Sequence, residues 1–503
     1  MIGLISRISL IVILLYVTQC TWVATPSLDT LIVGLSDSPV TLDPRFSTDA
    51  NGQRVCDLIF SALVQLTPDL KISGDLAESW SYADKTYSFE IRPQVFFHNG
   101  SPLSKADLIL SLQQFSKTSS PFFGQFEKIK KFAVEYDIHK GGRVQITLSE
   151  FSASFLYDLT LLKILPQKQI DHLQKRFYTQ PIGTGPYQFV SDQNNQLQLR
   201  AFDNYYRSPP KTKNLVFKSI RDASTRFHKV YKGEIDLVQS DIPHSKVKFF
   251  QKSPDFKVQI KPSLSTTYLL INMKHPDLKL LEFRQALAAS LDIKPILQFK
   301  FEGLADKALS LLPKAHPDHY PALEHKKLTL GKIQTIFSKQ RQKPLLFKTS
   351  NNFDAIENGR ILVQQLQEKG LQIHQRTFEW GTLYEDIKKG NFELALMKWV
   401  GITDPDLYRI SLHSNMVPPG RNRGSYSNPL FDKTSEEASR EDNPLTRHKL
   451  VKQMQEIVHR DLPIIPLWYD QQVAIINKRV KGYELSLTGD FSGLLNVYKE
   501  DKP

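Results

Sequence analysis

Two acidic side chains, Asp404 and Asp406, flank a proline in the polar segment that follows the apolar run 392–400. A pair of carboxyl groups can act as acid and base in a hydrolase, or one of them can hold a ligand ammonium group in an ion pair. The sequence beside this pair offers nothing that resembles a second catalytic group. We therefore predict that the segment binds a ligand and does not catalyse a reaction.

Histidines cluster at His316, His319 and His325, with Glu324 beside the last, and imidazole and carboxylate groups are common metal ligands. These residues lie among prolines in a predicted irregular loop, which does not fix a coordination geometry. No Gly-x-Ser-x-Gly, His-Glu-x-x-His or Cys-x-x-Cys pattern is present. We predict a protein that is not an enzyme, with no catalytic residues, no metal and no cofactor.

Several polar and aromatic residues are candidates for ligand contact. Ser38 and Pro39 follow the first apolar run and offer main-chain hydrogen bonds. Arg421 and Arg423 are able to hold a carboxylate through two hydrogen bonds, although arginines in a polar loop are also compatible with plain solvent exposure. Tyr268 is placed either to touch a ligand or to support a hinge.

Aromatic candidates follow later in the chain. Trp399 and Tyr426 are able to stack on a ligand, and core packing explains either of them equally well. Asn428 lies two residues after Tyr426 in the same polar segment. These residue types are suited to orienting a ligand rather than to transforming it.

The elements that position these residues form two α/β units. In the later unit, strands are predicted at 345–347, 371–378 and 392–400, with helices between them that stop at Gly370 and Gly390. This β-α-β-α-β order predicts a parallel sheet. A further helix is predicted before Pro463, with its apolar residues at Leu450, Val451, Met454, Ile457 and Val458.

The earlier unit begins with a predicted strand at 31–35. A helix is expected from about Asp49, with Val55, Ile59 and Leu63 on one face. Ligands in open α/β sheets bind beyond the carboxyl ends of the strands, which places the loops 36–39 and 401–406 on opposite sides of a predicted cleft.

Alternating apolar residues predict a mostly antiparallel region between these units. Tyr87, Phe89 and Ile91 alternate with polar residues, and two more alternating runs at 132–138 and 144–148 are separated by Gly141-Gly142. We predict a β-hairpin that turns at these glycines, and one helix at about 105–115.

The N-terminus resembles an export signal. Arg7 precedes a short apolar run at 8–17, which is too short to span a bilayer and fits the apolar part of a signal peptide. Cys20 closes this run in a sequence similar to a bacterial lipobox, so lipidation of Cys20 and ordinary cleavage a few residues later remain open. Cys56, the other cysteine, is predicted to be an inert buried thiol. A periplasmic or cell-envelope location is expected, with a lipid anchor as a possibility.

The composition narrows the range of partners. The net charge of +13 is spread over scattered Lys and Arg residues without a nucleic-acid-binding motif, so we predict no nucleic-acid partner. A chain of 503 residues is longer than a single hydrophobic core usually supports, which predicts several domains.

An ordered series of motifs resembles the dipeptide- and oligopeptide-binding proteins of ABC importers, the family 5 extracellular solute-binding proteins. The series spans residues 30–498 and is strongest at 183–187, Gly-Thr-Gly-Pro-Tyr, which is otherwise read as a tight turn. Its other members are Gly-Asp-Leu-Ala-Glu-Ser-Trp at 74–80, Tyr-Ser-Phe-Glu-Ile-Arg at 87–92, Phe-His-Asn-Gly-Ser-Pro-Leu at 97–103, Asp107, Asn-Tyr-Tyr at 204–206, Asn272, Arg-Gln-Ala-Leu at 284–287, Leu-Asp at 291–292, Tyr-Ser-Asn-Pro at 426–429 and Asp-Leu-Pro-Ile-Ile-Pro at 461–466.

This resemblance implies an α/β, bilobal type II periplasmic-binding-protein fold with an additional β-rich subdomain in lobe one. The implied division is a signal segment 1–25, lobe one at 26–265 with its subdomain at about 60–170, lobe two at 266–470, and a return to lobe one at 471–503. Hinge crossovers are expected near 262–268 and 470–476. A monomer is expected.

The resemblance also assigns the ligand site to the segment from Trp399 through Val400, Gly401 and Ile402 to Asp404. Peptide-binding relatives hold the main chain of the ligand in β-strand fashion, and many hold its α-amino group with an Asp three residues after a Trp. Ile402 occupies that position here. Either Asp404 takes over amine binding, or the ligand lacks a free α-amine, and a structural, cap-like role for Asp404 is also open.

The implied function is the substrate-binding component of an ABC importer, which captures a small ligand, foremost a peptide, and delivers it to an inner-membrane permease. Metal chelates, haem, opines and oligosaccharides are alternative ligands, because the fold does not choose among them. A sensing or binding module without transport, and a hydrolase, are alternative functions.

Overall fold

The computed structural model describes residues 27–324, 327–340, 343–418 and 420–501. The predicted signal segment and its lipidation candidate Cys20 lie outside these residues, as does His325. Within the described ranges, no helix has both the length and the apolar character needed to cross a membrane.

The described strands vary from two to sixteen residues, and most belong to one mixed sheet. In chain order they are β1 (Thr30–Leu35), β2 (Val64–Leu66), β3 (Ile72–Gly74), β4 (Ala77–Ala83), β5 (Thr86–Ile91), β6 (Ile129–Asp137), β7 (Gly141–Leu148), β8 (Tyr187–Gln193), β9 (Gln196–Ala201), β10 (Asn214–Ser219), β11 (Leu237–Gln239), β12 (Phe256–Ile271), β13 (Ala305–Lys307), β14 (Leu345–Ser350), β15 (Ile373–Phe378), β16 (Leu394–Trp399), β17 (Ile464–Asn477), β18 (Val480–Lys481) and β19 (Tyr498–Lys499).

The helices lie between these strands. They are α1 (Ala50–Ile59), α2 (Lys105–Phe115), α3 (Phe123–Phe126), α4 (Phe155–Asp158), α5 (Gln167–Leu173), α6 (Ala223–Tyr231), α7 (His244–Lys252), α8 (Leu281–Ser290), α9 (Ile293–Pro295), α10 (Leu330–Phe337), α11 (Phe353–Glu368), α12 (Trp380–Lys389), α13 (Leu407–Leu412), α14 (Pro429–Arg440) and α15 (Pro444–Asp461), with 3-10 turns at Gln174–Thr179, Ser414–Met416 and Ser492–Asn496 and a π turn at Ile296–Lys300.

The large sheet has the order β15-β14-β16-β12-β17-β11-β1-β10-β9-β8, with β13 beside β17. β14 pairs in parallel with both β15 and β16, which confirms the β-α-β-α-β unit predicted for residues 345–400. β1 is also parallel to both of its neighbours, β10 and β11.

Two long strands, β12 and β17, run through both parts of the sheet. Residues 256–262 pair with 471–477 beside β11 and β1, and residues 266–270 pair with 464–469 beside β16. The register shifts between Pro262 and Thr266 and again between Thr267 and Tyr268. We call the part that contains β1 and β8–β11 lobe one, and the part that contains β13–β16 lobe two. The register shifts therefore fall where the chain passes between lobes.

Each part of the sheet is covered by apolar cores on both faces. In lobe one, Leu31 and Val33 face one core while Ile32 packs against another. In lobe two, Leu269 and Leu270 likewise enter different cores. Because successive side chains of a strand point to opposite faces, this burial on both sides explains the continuous apolar runs of these strands.

A second sheet, β4-β5-β7-β6, is antiparallel and supplies the β-rich region. The predicted turn at Gly141-Gly142 is wrong by three residues, because the turn is formed by residues 138–140 and both glycines lie in β7. A Cβ on Gly142 would lie 2.0 Å from the carbonyl oxygen of Glu135. Gly142 therefore permits the close approach of β7 to β6, whereas Gly141 has φ +76° directly after the turn, and its Cβ would lie 2.4 Å from the Ile91 carbonyl oxygen of β5.

Candidate functional site

A cavity of about 620 Å³ lies between the lobes. Lobe one contributes α1, the segments 61–66 and 160–163, and residues near 488–495, and lobe two contributes the carboxyl end of β16 and the first turn of α12. The lobe-two residues that line it are Trp380, Lys398, Val400, Gly401 and Thr403. Its size falls within the range of roughly 300–1,000 Å³ that is typical of small-ligand sites.

Helix α1 forms the lobe-one wall. The Asp49 carboxylate caps its first turn by accepting from the Gly52 N–H at 2.8 Å. Val55 and Ile59 are buried in the core, so the opposite face of the helix, with Arg54 and Asp57, lies at the cavity. Leu63, which we predicted on this helix, follows its end at Ile59.

The end of α1 is held by the Gly-Thr-Gly-Pro-Tyr segment at 183–187. The Gly185 N–H donates to the Ile59 carbonyl at 2.9 Å. A Cβ on Gly183 would lie 2.0 Å from that same carbonyl oxygen, and one on Gly185 would lie 2.6 Å from the Ile59 carbonyl carbon. Only glycine fits both positions, and the neighbouring Pro186 lines the cavity.

Arg54 is partly buried in this wall. Its guanidinium carbon lies 5.8 Å from the ring centroid of Phe491, and burial lowers its pKa while the charges of Asp241 and Asp490 oppose that shift. No described carboxylate lies within ion-pair distance of Arg54, and no described residue accepts a hydrogen bond from it. The positive charge of Arg54 is therefore offset only by the more distant charges of Asp241 and Asp490.

Asp57 lies one helical turn after Arg54 and pairs with Lys163 at 2.7 Å. The Asp57 side chain is still 45% exposed, so it remains accessible from the cavity. Burial raises the pKa of Asp57, and the Lys163 ammonium opposes this. Lys163 is further fixed by donating to the Thr160 carbonyl at 2.7 Å.

Charges of both signs line the cavity. The basic residues are Arg54, Lys163 and Lys398, and the acidic ones are Asp49, Asp57, Asp75 and Asp490. The Lys398 ammonium is paired with Asp470 at 3.0 Å. A cavity with both signs suits a ligand that itself carries both signs.

The lobe-two wall of the cavity presents the backbone of Val400 and Gly401 and the indole ring of Trp380. Val400 is 49% exposed, and Gly401 has φ +69° with open space where a Cβ would lie. Among the described residues, no hydrogen bond outside the helices and strands uses a backbone group of Val400 or Gly401. Trp380 is 52% exposed and stacks on Tyr384 with ring centroids 5.7 Å apart.

Of the ligand contacts predicted from the sequence, Val400 and Gly401 line this cavity. Trp399 is half-buried and packs against a lobe-two core. Ile402 is buried, and its N–H donates to the Leu264 carbonyl at 2.8 Å, which ties the end of this loop to β12.

Asp404 does not line the cavity. Both of its carboxylate oxygens lie 3.0 Å from Nη2 of Arg447, and one also accepts from the Asp406 N–H at 2.7 Å. Burial raises the pKa of Asp404, and Arg447 opposes this. Through these contacts Asp404 fixes the loop after β16. None of them supports the predicted binding of an amine by Asp404.

Tyr426 and Asn428 converge on one acceptor in lobe two. Tyr426 Oη and Asn428 Nδ2 each donate to the Asp461 carboxylate at 2.6 Å. Asn428 also caps α14 by accepting from the N–H of Leu430 at 2.9 Å. Neither residue lines the cavity, so the structure places both in structural contacts.

The remaining predicted contacts also lie outside the cavity lining. Ser38 is exposed and Pro39 is half-buried, in the loop after β1. Tyr268 is buried in a lobe-two core. Arg423 donates to the Gly420 carbonyl and lies over the ring of Tyr384, at 6.0 Å from its centroid.

The lobes also touch beside the cavity. The Ala153 N–H donates to the Ser439 carbonyl at 3.1 Å, and Arg440 pairs with Glu150 at 2.9 Å. Asp158 lies near Asp404 and Asp406, whose charges act with burial to raise its pKa well above the ordinary value. The cleft is therefore closed along this edge.

Sequence reasoning missed Arg54, Asp57, Lys163 and Trp380. The apolar stripe of α1 indicated which face enters the core, but an opposite polar face is equally typical of solvent exposure. Within the described residues no cluster of three or more metal-ligand side chains is found. The histidine group noted in the sequence includes His325, which lies outside these residues.

Known proteins share this architecture. The model of the bacterial extracellular solute-binding proteins, family 5, matches residues 71–416. A probable di/tripeptide-binding protein 5 from Pseudomonas aeruginosa is 27% identical over 92% of this chain and 95% of its own length, and heme-binding protein A from Haemophilus influenzae is 26% identical over 90% and 89%.

Among solved structures, the oligopeptide-binding protein AppA from Bacillus subtilis in complex with a nonapeptide superposes with a TM-score of 0.83. It is 21% identical and covers 94% of this chain and 99% of its own. The fold is thus the bilobal type II periplasmic-binding-protein fold, as expected from the sequence.

Proposed function

The chain belongs to the bacterial extracellular solute-binding proteins of family 5, and we propose that it captures a short peptide between its lobes and delivers it to an ABC permease. The observation that carries this proposal is the cavity between the lobes, where the segment directly after β16 presents the backbone of Val400 and Gly401. An extended peptide laid along such a strand end gains main-chain hydrogen bonds whatever its sequence.

The charges of the cavity support a peptide with free ends. A short peptide carries an ammonium group and a carboxylate, and the cavity holds both acidic and basic side chains. The volume of about 620 Å³ favours a peptide of a few residues. Ligand bound to both walls stabilises the closed arrangement, which a permease is able to distinguish from an open one.

Export, lipid attachment, the position of the hinge and the monomeric state are part of the same proposal. Residues 1–25 direct export to the cell envelope, Cys20 is the candidate for lipid attachment, and the register shifts of β12 at 262–268 lie at the hinge. The chain acts as a monomer. The family consists of solute-binding transport proteins, and we assign no turnover to this member.

Native mass spectrometry of the purified chain tests the proposal. A mass increase that corresponds to one bound di- or tripeptide is expected, and calorimetric titration with peptide pools is expected to show one saturable site. Haem and the nickel–histidine chelate serve as comparison ligands. Binding of either one, with no peptide bound by either method, would replace the peptide proposal with that ligand class.

A further inference from the structure

Among the basic residues that line the cavity, Arg54 differs from Lys163 and Lys398 because it has no described carboxylate within ion-pair distance. Lys163 is paired with Asp57, and Lys398 is paired with Asp470. Within the described part of the chain, no carboxylate lies within 4.0 Å of the Arg54 guanidinium. A partly buried cation without a partner costs free energy unless a ligand supplies one.

The two carboxylates whose charges act on Arg54, Asp241 and Asp490, accept hydrogen bonds from other groups. Asp490 accepts from the Ser492 N–H at 2.8 Å and from the hydroxyl groups of Thr488 and Ser492. Asp241 accepts from the Ser36 N–H at 2.9 Å. Their charges favour the protonated guanidinium of Arg54 without occupying its hydrogen-bond donors.

The helix that carries Arg54 is held at both ends. Arg54 lies on α1, which is capped by Asp49 at one end and held by Gly185 at the other, and its guanidinium rests near the Phe491 ring. Its planar guanidinium is able to bind a carboxylate through two parallel N–H groups, and it loses less side-chain freedom for each hydrogen bond than a lysine ammonium does.

We propose that Arg54 binds the free carboxylate of the ligand, which the proposed function identifies as the C-terminal carboxylate of a short peptide. This inference rests on the proposed function and narrows its ligand class. It places the anchoring group for the ligand carboxylate on lobe one, opposite the Val400–Gly401 backbone of lobe two. A ligand held at both walls bridges the cleft.

The test compares pools of di- and tripeptides as free acids with the same peptides as C-terminal amides, by calorimetry. The wild-type chain is expected to bind acids at least tenfold more tightly than amides, because an amide removes the charge and one acceptor. Arg54→Gln is expected to reduce this preference to less than threefold, and Arg54→Lys to leave an intermediate preference. Arg143→Gln, at an exposed site on β7, is the matched control and keeps the wild-type preference.

The outcomes separate the inference from the proposed function. If Arg54→Gln folds, as judged by circular dichroism, and keeps the full preference for acids, Arg54 is not the carboxylate anchor, although peptide capture stands. If wild type binds peptide acids and amides equally, the inference likewise fails alone. If wild type binds no peptide in either form, the proposed function fails and the inference fails with it. A preference that is also shown by non-peptide carboxylic acids would assign the site to carboxylates in general.

Discussion

Arg447 Nη2 lies 3.0 Å from both carboxylate oxygens of Asp404, so α15 holds the loop that leaves β16. This loop begins with Val400 and Gly401, which line the cavity. The acidic residue that sequence reasoning offered as a ligand for an amine is thus bonded to a guanidinium of its own lobe. Its contribution to binding is expected to be indirect, through the position of the backbone.

Replacing Arg447 tests this relationship. Arg447→Met keeps a long apolar side chain but leaves the mostly buried Asp404 carboxylate without its cation. Loss of one partner of a buried pair costs about 3–5 kcal/mol, and we expect a loss near the lower end because these side chains are 16% and 11% exposed. Urea unfolding measures the change in free energy.

Two further variants serve as controls for Arg447→Met. The double variant Arg447→Met, Asp404→Asn is expected to recover part of the loss, because the uncompensated charge is gone. Lys71→Gln, which breaks a largely exposed pair with Asp69, is expected to leave the unfolding midpoint unchanged. A loss below 1 kcal/mol for Arg447→Met would show that the pair does not hold the loop.

Asp158 is expected to make the stability of the chain depend on pH. Burial, followed by the charges of Asp404 and Asp406, raises its pKa well above the usual value of about 3.9. Above pH 4 the unfolded chain releases this proton before the folded chain does, so the contribution of Asp158 to stability falls as the pH rises. Asp158→Asn is therefore expected to raise the melting temperature at pH 7 and to change it less at pH 4. Equal changes at both pH values would contradict this assignment.

The glycine at 185 is required by the close approach to α1. Gly185→Ala puts a Cβ against the Ile59 backbone, and we expect a loss of more than about 2 kcal/mol, because a backbone clash forces the elements apart. Gly124→Ala is the control: its Cβ meets nothing within 4 Å and the residue lies in α3, so stability is expected to stay the same or to rise slightly. Chemical denaturation compares the two. Equal stability of both variants would disprove the steric argument.

Trp380 provides an optical signal for occupancy of the cavity. Its indole is half-exposed at the cavity wall, so a ligand that displaces water is expected to change its fluorescence. Trp380→Phe is expected to remove most of the change seen on adding peptide, while Trp80→Phe, in the β-rich sheet beside Phe89, is expected to keep it. Retention of the full change in Trp380→Phe would place the bound ligand away from this wall.

The sequence predicted the architecture well because burial leaves a local pattern. The strands near residues 345, 371 and 392 were recognisable from their apolar runs, and Gly390 ends α12 with φ +74° as its position indicated. The turn before β7 was misplaced because the sequence does not distinguish Gly142, which permits a close approach of strands, from a glycine within the turn itself.

The site was less predictable because its walls come from distant segments. Gly401 was found through its place after a predicted strand, and Val400 through the family resemblance. Arg54 and Trp380 were not, because a polar or aromatic residue on a helix has the same sequence context whether it faces solvent or a cleft. The partner of Asp404, Arg447, lies 43 residues later in the chain, and no local pattern connects the two.

Calorimetric titration of the wild-type chain, freed of co-purifying ligand by mild denaturation and refolding, with pooled di- and tripeptides tests the central claim most directly. Saturable binding at one site per chain is expected, with affinity weakened by Arg54→Gln and unchanged by Arg143→Gln. No heat of binding with any pool, from protein whose circular dichroism and melting match those of the untreated chain, would contradict peptide capture between the lobes.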